Sequence, residues 1–199
     1  LRLDKRIGKH AYLKPGLGIA GGNLERDLAT VLSYAQKFQT DGGVVSAWVD
    51  NSKHRKNWPW ETLNDLVLTK IKKPKIAILG LTYKENTQSI KNSPSIALLS
   101  KLKGHSIAVF DPAAEMDIVR QDFKRTKFAL DATDRADVLL VMTPWPEFRG
   151  LTASSLAKSM NGRVVIDPYK VLDGIDLEKN GFTYATLGES IVQPQKVLN

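Results

Sequence analysis

The chain of 199 residues contains no cysteine and only three histidines, His10, His54 and His105. Disulfides and thiolate metal sites are thereby excluded, and histidines so scattered do not suggest a metal cluster; no bound metal is expected. No uninterrupted apolar stretch approaches the roughly eighteen residues of a membrane span, and Leu1-Arg2-Leu3-Asp4-Lys5-Arg6 has no signal-peptide core. A cytoplasmic location without membrane contact is the expectation. Internal repeats and low-complexity tracts are also missing. Acidic residues are in the minority, 21 against 29 Lys and Arg, for a formal net charge of +8 that favours anionic ligands. The densest basic groups, Lys53-His54-Arg55-Lys56 and Lys70-Ile71-Lys72-Lys73-Pro74-Lys75, read more simply as helix ends and a linker than as a nucleic-acid patch.

What is present begins with Pro15-Gly16-Leu17-Gly18-Ile19-Ala20-Gly21-Gly22-Asn23-Leu24-Glu25-Arg26-Asp27, which places four glycines in the seven positions 16–22. Glycine lets a backbone turn tightly and approach a ligand, and the unpaired N–H groups of a following helix attract anions. From there Leu24, Leu28, Val31, Leu32 and Ala35 fall at helical spacing and predict one buried face, with Asn23 suited to the N-cap. Thr40-Asp41-Gly42-Gly43 is a turn, and Val44, Val45, Trp48 and Val49 carry a second helix. Trp58-Pro59-Trp60 is expected to break it, Pro59 opening a third helix with Leu63, Leu66, Val67 and Ile71. Residues 1–70 are thus expected to be mostly helical. Their broad apolar faces, with Trp48, Trp58 and Trp60, either cover the domain that follows or pack against a second copy.

After Lys72-Lys73-Pro74 the pattern changes. Short β-branched runs at 75–79, 106–110, 138–142 and 164–166 alternate with helical stretches near 93–103, 113–121 and 152–160, and Gly104 closes the first of these helices. Such alternation predicts an α/β fold, a Rossmann-like doubly wound parallel sheet behind a helical segment. Gly80-Leu81-Thr82-Tyr83-Lys84 departs from G-x-G-x-x-G, so an ordinary dinucleotide fold is not expected here. Lys84 and Asp111 fall at the carboxyl ends of strands, where open sheets bind ligands. Trp145 and Phe148 read as packing residues.

The glycine loop stands between Asp4-Lys5-Arg6-Ile7-Gly8 and Ile76-Ala77-Ile78-Leu79-Gly80-Leu81-Thr82-Tyr83-Lys84-Glu85-Asn86-Thr87, followed by Ser93-Pro94, Phe110-Asp111-Pro112, Thr143-Pro144-Trp145-Pro146-Glu147-Phe148, Asp167 and Val171-Leu172-Asp173-Gly174. In that order and spacing the chain resembles the central and C-terminal regions of the UDP-glucose/GDP-mannose dehydrogenase family, over nearly its whole length. The resemblance implies a central helical dimerisation domain at 1–72 carrying the active-site loop and a C-terminal UDP-sugar-binding domain at 73–199. It also implies a preceding NAD-binding domain that this chain, which opens on Leu1, does not contain. The implied reaction is NAD-dependent oxidation of the C6 alcohol of a UDP-sugar toward the acid, for polysaccharide precursors, in a homodimer. The chain alone is expected to be inactive.

By resemblance, Asn23 stands where the family has its catalytic cysteine and Asp27 at its active-site aspartate. A carboxamide cannot form the thioester of the second oxidation, although it can hydrogen-bond an alcohol or aldehyde oxygen. Gly18, Gly21, Tyr83 and Lys84 are implied to line the substrate site, with Arg6 reaching it across the dimer. Arg26, Lys91 and Tyr169 fall at positions implied to face NAD; Lys91 and Tyr169 replace arginines and so lose a bidentate grip on a pyrophosphate. Arg26 replaces a lysine and Glu25 a proline, departures that speak for natural divergence. A non-catalytic sugar-nucleotide-binding relative and a basic nucleic-acid interaction domain stand as alternatives.

Overall fold

The computed structural model describes residues 1, 3–11, 13–114 and 123–194. The helix expected at 113–121 lies largely outside these residues. The described residues among 1–22 hold no helix, so the expectation of a mostly helical first segment holds only from Asn23. There α1 (Asn23–Phe38) begins, followed by α2 (Gly43–Leu63). The N-cap of α1 is Gly22, one residue earlier than expected, and no side chain caps it. The turn is completed by Gly21 at φ 83°, which lets the helix wind from Asn23 itself.

The expected break at Pro59 is absent. Helix α2 runs through it and continues as a π-helical turn, Asn64–Leu68. Pro59 offers no N–H to the preceding turn, but it is buried, and Leu63 and Val67 prolong the same inward stripe into the core. Packing outweighs the local propensity.

Six strands follow among the described residues: β1 (Lys75–Leu79), β2 (Ser106–Phe110), β3 (Lys124–Arg125), β4 (Val138–Val141), β5 (Val164–Ile166) and β6 (Thr183–Ala185). Every pairing between these strands is parallel, in the order β3-β2-β1-β4-β5-β6. The sheet expected from the alternating pattern is therefore present, with two edge strands too short to leave a periodic signal. Helices α3 (Pro94–Lys101), α4 (Ala129–Ala132) and α5 (Ala153–Ser159) supply the crossover layers. Ser93 caps α3 by accepting from the Ser95 N–H, and Thr152 with Ser155 forms a capping box on α5.

Strand residues alternate between two cores. Ala77, Leu79, Leu139, Val141 and Val165 face Phe148, Leu156 and Phe182. Ile76, Ile78, Val109, Leu140 and Ile166 face Leu63 and Val67 from the α2 end, Leu98 and Leu102 beside α3, and Leu17 from the glycine loop. The helical segment and the sheet thus share one core. In contrast, the expected buried face of α1 is mostly open: Leu28 is buried, whereas Leu24 and Val31 are exposed, because α2 is the main element packed against it.

The order reverses between β1 and β4, so the crevice at their carboxyl ends is the switch point of the sheet. Gly80 closes β1 there at φ 94°, and a Cβ on it would lie 2.5 Å from the Thr143 Cβ and 2.6 Å from the Thr143 nitrogen. Gly80→Ala combines an unfavourable backbone region with a collision against main chain; it is expected to cost about 2–4 kcal/mol of unfolding free energy, read from urea denaturation.

Candidate functional site

The glycine loop lies directly on the mouth of the sheet. Leu17, 1% exposed, is its anchor in the second core. Gly18, at φ 83°, passes so close to α2 that a Cβ would meet the Ser52 carbonyl oxygen at 2.6 Å, and Ser52 Oγ accepts the Ile19 N–H at 2.8 Å. Gly21 donates its N–H to the Lys91 carbonyl at 3.1 Å and accepts from Asn92 Nδ2 at 2.8 Å. A Cβ at Gly21 would press on the Tyr83 ring from 3.0 Å, one at Gly22 would meet Lys91 Nζ at 2.8 Å, and one at Gly16 would touch the Tyr169 ring at 3.4 Å. Each glycine here is a point where another group approaches the backbone.

This arrangement brings the glycine loop against Tyr83, Lys91 and Tyr169, while Gly18 is set against Ser52 of α2 and Lys84 follows Tyr83 on its turn. The Lys84 side chain is exposed, its ammonium 5.6 Å from the Tyr83 ring centre. Asn23 opens α1 immediately after the loop, with its side chain exposed. Arg26 and Asp27 lie on the exposed side of α1 and pair with each other at 3.0 Å, rather than with any group of the sheet. Arg6 is held by its neighbour Asp4 in a two-pronged pair at 2.7 and 3.0 Å. That bond keeps the Asp4 carboxyl below its usual range and the Arg6 guanidinium above its own. Glu25 binds Lys56 of α2, which fixes the first turn of α1 to its neighbour.

Two carboxylates at strand ends do structural work that sequence reasoning did not assign. Asp111, after β2, turns inward: Oδ2 accepts from the Leu81 and Thr82 N–H groups at 2.6 and 3.0 Å, from Thr82 Oγ1 at 3.2 Å and from Trp145 Nε1 at 3.4 Å. Its Oδ1 accepts from the Ala113 and Ala114 N–H groups, both at 2.8 Å. The Asp-Pro-x-x stretch carries the signature of such a local bond; its reach to β1 leaves none. Thr143 Oγ1 donates to the Thr82 carbonyl at 2.6 Å, so the Thr82 main chain is bonded on both sides.

Asp167, after β5, is wholly buried, and accepts from the Tyr169 and Leu172 N–H groups and from the Tyr184 hydroxyl at 3.1, 2.8 and 3.2 Å. It fixes the loop that lays Tyr169 against Gly16. Burial pushes its carboxyl above the ordinary value and outweighs the opposing donors; burial and then the Asp167 charge raise the Tyr184 hydroxyl as well.

A sheet of this order, with a cationic loop beside its switch point and a glycine turn across from it, defines the doubly wound α/β class whose ligands approach the carboxyl ends of the strands. Residues 77–174 match the UDP-binding domain of the UDP-glucose/GDP-mannose dehydrogenase family. The chain is 31% identical over 191 residues to a UDP-glucose 6-dehydrogenase of Rhizobium meliloti, covering 94% of this chain and 43% of that relative. It is 28% identical over 195 residues to one from Rickettsia bellii, covering 95% of this chain and 45% of the relative. Among solved structures, a UDP-glucose dehydrogenase from Pyrobaculum islandicum superposes with a TM-score of 0.76 at 21% identity, over 92% of this chain and 41% of that one. The chain belongs to the UDP-glucose/GDP-mannose dehydrogenase family, and spans less than half the length of these relatives. Among the described residues no helix is long and apolar enough to cross a membrane.

The raised Asp167 carboxyl makes a pH prediction. Its folded pKa lies above the unfolded value of 3.8, so the protonated acid favours the folded state; the contribution is full below pH 3.8 and is lost as pH rises through the folded value. Asp167→Asn does not titrate. Measured by urea midpoints at successive pH values, the stability of wild type relative to this variant is expected to fall across that interval and then level off.

Proposed function

We propose that this chain is the central and C-terminal part of an NAD-dependent UDP-sugar 6-dehydrogenase, binding a UDP-sugar between the glycine loop and the mouth of the sheet. The observation that carries the reading is the direct seating of Gly16, Gly21 and Gly22 on Tyr169, Tyr83 and Lys91, with the exposed Lys84 ammonium at the same rim. An ammonium point charge suits a diphosphate or sugar oxygen, and the UDP-binding family match over 77–174 supports the same ligand. On this reading 1–72 is the dimerisation and active-site segment and 73–199 the UDP-sugar-binding domain. The reaction oxidises the C6 alcohol of the sugar for polysaccharide precursors in the cytoplasm.

NAD, when bound, accepts the hydride. Lys91, beside Gly22, would hold its pyrophosphate; Tyr169 at the Gly16 edge would offer ring contact instead of charge, and Arg26 is held by Asp27. Most of the grip on NAD then belongs to a domain outside the chain. Asn23 positions the reacting oxygen by hydrogen bonding, and Asp27, whose Oδ1 holds Arg26, orders water through its second oxygen. Because a carboxamide cannot form a thioester, Asn23 also favours a second reading, a relative that binds the sugar nucleotide and has lost the second oxidation or all turnover.

Leu24, Val31, Tyr34, Phe38, Val44 and Trp48 present an exposed apolar face on α1 and α2, which supports a homodimer with Arg6 reaching the partner's site.

Calorimetry is expected to show saturable binding of UDP and UDP-sugars to the chain, weakened about tenfold or more by Lys84→Ala, the scale of one charge-assisted hydrogen bond. Saturable binding of nucleic acid without any of UDP would discard the proposal in favour of a basic interaction domain. Sedimentation is expected to find a dimer that Trp48→Glu converts to a folded monomer, since the ring is 56% exposed within one chain.

A further inference from the structure

In sheets that bind a pyrophosphate at the switch point, main-chain N–H groups after the first strand point at the anion. Here four successive amides of that turn are satisfied from within. Gly80 donates to the Phe110 carbonyl at 2.8 Å and Tyr83 to the Ser89 carbonyl at 3.1 Å, while Leu81 and Thr82 both donate to Asp111 Oδ2. The same oxygen collects Thr82 Oγ1 from the β1 loop and Trp145 Nε1 from the β4 loop, so donors from both sides of the crevice converge on one internal carboxylate. The crevice is also closed sterically, with Gly80 against Thr143.

We propose that Asp111 is a positioning and specificity-determining residue: its carboxylate occupies the anion seat of the switch point, excludes a ligand's diphosphate from the crevice, and sets the 81–84 turn so that Tyr83 meets Gly21 and Lys84 faces the rim. The inference rests on the UDP-sugar reading for the ligand's identity, but not for the seat itself. Anion recognition then falls to side chains outside the crevice, Lys84 foremost, rather than to the main chain of the turn.

Removal of the carboxylate leaves a cradle of N–H and O–H donors that a small anion can refill. Asp111→Ala is expected to weaken UDP binding about tenfold or more, and about 100 mM formate is expected to restore it, while chloride at equal ionic strength is not. Wild type is expected to show no response to formate. In the same samples the amide resonances of Leu81 and Thr82 and the indole N–H of Trp145 are expected to move in the variant and return with formate. A role of packing volume alone would not produce that anion-specific return, and the parallel return of UDP affinity ties the seat to ligand binding. Folding of Asp111→Ala only in the presence of formate supports the proposal equally. Should that variant stay unfolded in both salts, Asp111→Asn is read in its place: reduced UDP affinity together with displaced Leu81, Thr82 and Trp145 resonances supports the seat. Wild-type affinity in a folded variant, or resonances indifferent to formate in Asp111→Ala, overturns it. Absence of UDP binding by wild type discards the UDP reading instead, and the resonances still decide whether Asp111 fills the seat.

Discussion

The structure depends on the seating of a single loop. Residues 15–22 join the core under the sheet through Leu17, lean on α2 through Gly18 and Ser52, and touch the sheet's mouth through Gly16, Gly21 and Gly22. Burying one leucine side chain contributes roughly 2–3 kcal/mol, and the hydrogen bonds of Ile19 and Gly21 add to it against the conformational freedom of a glycine-rich segment. Positive φ at Gly18 and Gly21 then aims the chain into α1. That anchor acts together with the Gly21 bonds to Lys91 and Asn92 to set the start of α1 relative to Tyr83.

Opposite the loop, two inward-turned carboxylates hold the strand ends. Asp111 fixes the turn after β1 and the approach of Trp145 from β4, and Asp167 fixes the turn after β5 that carries Tyr169. Each collects main-chain N–H groups that a loop at a strand end leaves unpaired. The rim can therefore carry exposed side chains on a backbone that is already satisfied.

Much of this was legible in the sequence, for physical reasons. Strands buried on both faces leave apolar runs, and Ser93-Pro94 and Thr152 mark helix starts through their own side-chain chemistry, so β1, β2, β4 and β5 and the helices α3 and α5 stood close to where they were expected. Edge strands of two and three residues leave no pattern. Pro59 misled because its local cost is visible in sequence, whereas the burial that offsets it is not. The contacts of the glycine loop with Tyr83, Lys91 and Tyr169 link positions about sixty to one hundred and fifty residues apart, and became visible only in three dimensions. Asn23 illustrates the finer limit: whether it caps α1 or opens it turned on the φ angle of Gly21, which a glycine codon leaves free.

The unbroken passage of α2 through Pro59 into its π-helical turn makes one continuous element with one end buried in the core, at Leu63 and Val67, and the other bearing the exposed Val44 and Trp48. The glycine loop is pinned to that element near its middle, at Ser52. The exposed Val44 and Trp48, the seat of the glycine loop at Ser52 and the buried Leu63 and Val67 therefore lie along one continuous run of helix, so the outer face and the loop share a single support.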